Sequence, residues 1–128
     1  MEYIAHSDKE RVQTLKAHLE GTARLAEAFA SRFGKGDWGY CCGLLHDIGK
    51  YSDDFQKKIR ENSMAMVDHA TAGAKVCLQK GGLYGFLSYC IAGHHAGLPD
   101  TGGTQDTGSA PTLEGRKRKR IPDFSAYQ

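Results

Sequence analysis

No stretch of this sequence holds enough consecutive apolar residues to span a bilayer, and its opening MEYIAHSDKER carries charges where a secretory leader needs an apolar run. A soluble, cytoplasmic protein is the expectation. A cysteine framework is lacking: Cys41, Cys42, Cys77 and Cys90 stand among apolar neighbours, without the C-x-x-C spacing of a zinc or redox site. With no secretion signal they read as reduced core thiols. Internal repeats are missing, and so is the period-two alternation of strands, which leaves an all-α fold. At 128 residues the chain suits one domain with a real core.

An excess of positive charge is absent from most of the chain. Lys and Arg number 17 against 15 acidic residues, but five of the 17 are Arg116, Lys117, Arg118, Lys119 and Arg120. Without them the balance is 12 against 15, a net of −3. Such a run is either a solvated loop or a contact to a phosphate backbone, and it lacks the interleaved aromatics of a base-stacking platform.

What is present is helical periodicity. Asp8 can cap a long helix whose Val12, Leu15, Leu19, Thr22, Ala26, Phe29 and Phe33 fall at steps of three and four, with His18 on the border of the stripe and Gly34 and Gly36 ending it. From Asp37 a short segment with Trp38, Tyr40, Cys41, Cys42, Leu44 and Leu45 is apolar on nearly every side, as a buried helix would be. It runs out at His46-Asp47, and Gly49 breaks the pattern. Ser52 to Arg60 reads as a polar helix anchored by Phe55 and Ile59. Another helix starts with Asp68 as its cap, aligns His69, Ala72, Gly73 and Val76 on one face, and stops at Gly81-Gly82. The last face, Leu83, Phe86, Leu87, Cys90 and Ile91, ends in His94 and then His95. Beyond Pro99 the text is rich in Gly, Thr and Asp, so residues 1–98 read as the core and 99–128 as a flexible segment.

His18, His46, His69 and the pair His94-His95 thus sit on, beside or at the end of four apolar helix faces, while His6 falls outside the set. One such histidine is usually structural: His46 could satisfy a buried carbonyl and Asp47 could cap the next turn. Five around a shared core, with Asp47 beside one, are costly to desolvate unless something common satisfies them. A divalent transition metal does so. Imidazole and carboxylate without thiolate suit Mn, Fe, Co, Ni or Zn, with Mg a further option. Five imidazoles overfill one open site, so two ions are expected, and the two oxygens of Asp47 can bridge ions about 3.5–4 Å apart.

The order His18, His46-Asp47, His69, His94-His95 resembles the HD phosphohydrolase superfamily in its paired-histidine variant. The surrounding KAHLEGTARLA, GLLHDIGKYSDDFQ, DHATAGA and AGHHAGLPD are similar to the N-terminal HD nuclease domain of the type I CRISPR-associated helicase-nuclease, in a form like that of subtype I-C; the likeness runs from about Tyr3 to Asp100. The resemblance implies an HD helical bundle in which His18 and His46 hold a first metal, Asp47 bridges, and His69, His94 and His95 hold a second. It further implies a catalytic role for Asp47, with Lys50 stabilising phosphate charge, although a solvated lysine reads equally well from spacing. The implied reaction is metal-dependent cleavage of single-stranded DNA, with an adjoining helicase and a guide-RNA complex as partners and no membrane.

One departure matters. The family closes its first metal site with a downstream aspartate, and Asp106 and Asp123 both stand in loop-like text. The chain is therefore expected to be the front of a longer domain. Two other readings stay open: an HD hydrolase of nucleotides or cyclic nucleotides, and an inactive metal-binding or docking fragment.

Overall fold

The structure is a computed structural model that describes residues 2–8, 10–82, 84–95 and 97–128. Six α-helices account for most of the order among the described residues. They are α1 (Leu15–Ser31), α2 (Gly36–Leu45), α3 (Asp53–Arg60), α4 (Thr71–Lys80), α5 (Tyr84–Gly93) and α6 (Leu113–Arg118), with 3-10 turns at Ile48–Tyr51 and Ser125–Tyr127. No helix among them is long and apolar enough to cross a membrane. The all-α expectation holds, with one addition. A small antiparallel hairpin, β1 (Ile4–Ser7) and β2 (Val12–Thr14), precedes the bundle.

That hairpin displaces the expected start of the first helix. Thr14, not Asp8, is the N-cap, its hydroxyl accepting from the Ala17 amide at 3.2 Å. Asp8 instead holds the hairpin turn, accepting from the amides of Glu10 and Arg11. Val12 leaves the helix for β2 and is exposed.

The buried face of α1 also differs from the expected stripe. Leu15, Leu19 and Ala23 are buried, whereas Leu25, Phe29 and Phe33 are exposed. The reason is close packing against α2. A Cβ at Gly43 would lie 2.6 Å from the Ala23 Cα, and one at Gly39 would collide with the Ala26 carbonyl and press on Ala30. The two helices meet along small residues, so backbone contact selects the Ala and Gly seam and leaves the large side chains outside it.

Helix α4 is the central one. Thr71, Ala72, Gly73, Ala74, Val76 and Cys77 are all buried, and α5 packs on it through Leu87, Ser88, Ile91 and Ala92. Phe86 and Cys90, placed on the inner face of α5 from periodicity, are exposed, and Leu83 lies outside the described residues. Of the four cysteines only Cys77 is fully buried, Cys41 and Cys42 being half-buried. Burial first, then its thiol neighbours, pushes Cys77 up to about 12, and burial pushes Cys42 to about 11, so both stay protonated.

The segment after Pro99 folds back. Leu113 is buried in the common core, α6 lies on α4 and α5, and Ile121, Phe124 and Tyr127 pack against the core cluster. A Thr112 cap on the Gly115 amide and the bond from the Leu113 amide to the Asp100 carbonyl organise this run.

Candidate metal centre

Each histidine is delivered by a helix end or first turns, and two glycines let those ends converge. A Cβ at Gly49 would collide with the His69 carbonyl, and one at Gly73 with the Leu45 carbonyl. The first contact brings the turn after Asp47 onto the approach to α4; the second brings α4 onto the end of α2. His46 follows α2, His69 precedes α4, His94 and His95 follow α5, and His18 lies near the start of α1.

All five nominated histidines gather around Asp47, which is 4% exposed. Its Oδ2 faces His18 Nε2 at 2.9 Å and His46 Nε2 at 3.2 Å. Its Oδ1 faces His94 Nε2 at 3.1 Å and His69 Nε2 at 3.5 Å. His95 Nε2 lies 2.8 Å from His69 Nε2. The donors divide into two groups that share Asp47, one with His18 and His46 and the other with His69, His94 and His95.

The tautomers say what belongs between them. His46 Nδ1 lies 2.6 Å from the Gly43 carbonyl and His94 Nδ1 lies 2.6 Å from the Ile91 carbonyl. A carbonyl only accepts, so both Nδ1 atoms carry hydrogen, and in a neutral ring Nε2 then presents a lone pair. Those lone pairs aim at a carboxylate. Such an arrangement is repulsive unless a proton or a metal cation lies between, and the all-nitrogen, carboxylate donor set fits a divalent transition metal.

The protonation energetics follow the same geometry. Burial pushes the Asp47 carboxyl up, but hydrogen bonds from His18, His46 and His94 outweigh it and hold the group far below the usual carboxylate range. Burial lowers His69 to about 4 against the pull of Asp47. His94 is raised, because its bonds to Asp47 and the Ile91 carbonyl outweigh its desolvation. The Nδ1 of His69 is buried and has no partner among the described residues, and its ring meets the Phe55 ring edge-on at 5.1 Å.

Lys50 is also buried, at 5% exposure. Its Nζ lies 3.2 Å from Asp47 Oδ2 and donates to the Ala5 carbonyl at 3.2 Å. It therefore fixes the carboxylate and the hairpin together. Gln56, fully buried, completes that tie: its amide donates to the carbonyls of Ile4 and Lys50 and its oxygen accepts from the Ile4 amide.

Two residues have places that the sequence pattern does not signal. His6, outside the histidine set by periodicity, is carried by β1 to within 4.8 Å of the His18 ring, nearly perpendicular to it. Gln56 reads as part of a polar helix and is instead fully buried. Neither downstream aspartate joins the centre: Asp106 accepts from the Thr112 hydroxyl and the Gly103 amide, and Asp123 accepts from the Ser125 amide. In the basic run, Arg116 and Lys119 turn toward α4, Arg118 pairs with Glu114, and Lys117 and Arg120 are exposed.

A helical bundle with five imidazoles gathered around one carboxylate is what a metal-dependent hydrolase would use to hold its ions. The family comparison agrees: the HD domain family matches residues 15–124, and the chain belongs to that family. Among curated proteins none matches this chain.

Proposed function

We propose that this chain is a metal-dependent nuclease domain that hydrolyses phosphodiester bonds of single-stranded DNA. The observation that carries the reading is the division of donors over the two oxygens of Asp47. One carboxylate shared by two imidazole sets suits a pair of ions at the spacing that clamps a phosphoryl group. Divalent metal bound there supplies Lewis acidity, lowering the pKa of water and offsetting charge on the phosphate.

The chain's own residues do the rest. His46 and His94, fixed through Nδ1 to backbone carbonyls, keep Nε2 aimed inward without rotamer search. Lys50 holds Asp47 in place and balances its charge. No side chain is needed as a covalent nucleophile. His94 and His95 stand toward the open edge of the centre, which suits a strand that passes by it better than a small nucleotide enclosed within it.

The similarity of GLLHDIGKYSDDFQ and AGHHAGLPD to the type I CRISPR-associated nuclease domain supports the finer assignment. On that reading the domain works in CRISPR interference in the cytoplasm, beside a helicase that feeds it DNA delivered by a guide-RNA complex. The test is cleavage of circular and linear single-stranded DNA by metal-stripped protein resupplied with Mn, Co, Ni, Fe, Zn or Mg. Metal-dependent cleavage of single strands, faster than hydrolysis of nucleoside triphosphates or cyclic nucleotides, is expected. Hydrolysis of the small nucleotides alone contradicts the reading.

A further inference from the structure

Beside the Oδ1 side of the centre lies an open cavity of about 530 Å³. His69 and His95 form one part of its wall, Lys58, Asp68, Arg116 and Lys119 supply its charges, and the rest is mostly apolar, with Met66, Val67 and Pro111 among it. Three cations and one carboxylate therefore border a space that begins at the centre itself.

The carboxylate is already committed. Asp68 Oδ1 accepts from the amides of Ala70 and Thr71, at 3.1 and 3.0 Å. Its Oδ2 accepts from the Thr71 hydroxyl at 2.6 Å and from Lys119 Nζ at 2.7 Å. Asp68 and Lys119 offset one another, which leaves Lys58 and Arg116 as the uncompensated charges. Among the described residues neither has a carboxylate within salt-bridge distance.

Arg116 is also aimed. Its Nε donates to the Thr71 hydroxyl at 2.7 Å, and Thr71 is fixed in turn by Asp68. That bond holds the guanidinium, while its two terminal nitrogens meet no acceptor among the described residues. A planar fork held at its base is the geometry that receives two oxygens of one phosphate. The four-residue spacing of the capped segment matters too: Thr112 caps α6, so Arg116 leaves the helix one turn later, facing α4 rather than solvent.

We propose that this cavity is a subsite for a second phosphate of the substrate, next to the one at the Asp47 centre, with Arg116 as its fork and Lys58 as its opposite wall. The proposal rests on the nuclease reading and deepens it. It selects a polynucleotide chain, in which successive phosphates are spaced along a backbone, over a substrate with a single phosphate. Of the five basic residues from 116 to 120, it assigns the direct contact to Arg116, with Lys119 held on Asp68, and it adds Lys58, which lies outside the run.

The test is binding of fluorescein-labelled oligothymidylate, read by anisotropy in EDTA so that no cleavage occurs, across a series of salt concentrations. Arg116→Gln is expected to weaken binding by about 10- to 100-fold, the range for loss of a charge-assisted bond. It should also lower the slope of log K against log salt by about 0.7, one phosphate's worth on a single strand. Lys58→Gln, which removes no side-chain hydrogen bond within the described residues, should lower the slope likewise, and Arg118→Gln should not. Wild-type affinity and slope in both Arg116→Gln and Lys58→Gln overturn the proposal. So does displacement of the label by a nucleoside triphosphate at lower concentration than by unlabelled oligothymidylate. Failure of metal-loaded wild-type protein to cleave would count against the nuclease reading and leave these binding measurements standing.

Discussion

The two oxygens of Asp47 look out on unequal neighbourhoods. Oδ2 meets two imidazoles, His18 and His46, and the ammonium of Lys50 at 3.2 Å. Oδ1 meets His69 and His94, with His95 completing the group, and no lysine or arginine among the described residues. The Lys50 ammonium opposes positive charge on both sides, acting on His69, His94 and His95 as well, but it touches the oxygen of the three-donor set, whereas the other oxygen belongs to a four-donor set of three imidazoles and a carboxylate. The Oδ1 side, with one more donor, is therefore expected to be the tighter metal site. It is also the side that opens onto the cavity bordered by Arg116 and Lys58.

The largest effect belongs to the residue the two sides share. Asp47→Asn keeps the shape but removes the charge, so both metal sites should weaken together and cleavage should fall to the metal-free background. Metal content and single-strand cleavage, measured on a variant shown by circular dichroism to be folded, check this. Retention of full metal content would mean that the two sides are not joined through Asp47.

A smaller effect concerns protons on the Oδ1 side of the metal-free chain. His69 is held down to about 4, so between its ordinary 6.5 and about 4 the unfolded chain takes up a proton that the folded chain refuses. Stability should therefore decline as pH falls through that window, by up to about 3 kcal/mol at 1.36 kcal/mol per unit. His94 has the opposite sign: its pKa is raised, so its contribution is complete below 6.5 and is lost as pH rises through the folded value. Urea melts of the metal-free chain and of His69→Gln separate the two. An unchanged acid slope in His69→Gln would contradict the assignment.

The smallest effects test how the ends of the helices reach the centre. Gly49→Ala drives a methyl into the His69 carbonyl and should cost about 1–3 kcal/mol, weakening the Oδ1 metal more than the other. Gly21→Ala in the middle of α1 meets nothing within 4 Å and should stabilise by about 0.4–1 kcal/mol. Thermal melts read both. Equal stability of the two variants would mean that close approach at Gly49 is not what assembles the centre.

Much of this arrangement is legible in the sequence because most of the histidines stand where an apolar run starts or stops. His46-Asp47 after Leu44-Leu45, and His94-His95 after Ile91, announce a polar cluster at the ends of buried helices. What is not legible comes from small residues and short elements. The α1–α2 seam is built on Ala23, Ala26, Gly39 and Gly43, so counting large apolar side chains puts Phe29 and Phe33 on the wrong face. The hairpin strands have four and three residues, too short for alternation to show, and His6 travels with them. Gln56 is polar by composition, yet all three of its side-chain hydrogen bonds go to backbone inside the fold, a satisfaction that only tertiary contact reveals. Residues 99–128 lack periodicity, and Leu113 supplies the buried anchor that folds α6 onto α4.

Calorimetric titration of metal-free protein with manganese, alongside His95→Ala and His18→Ala, tests the inequality of the two sides most directly. The account predicts two binding events of different affinity, the tighter one lost in His95→Ala and the weaker one lost in His18→Ala. A single event, or a tight event that survives His95→Ala and disappears in His18→Ala, would contradict it.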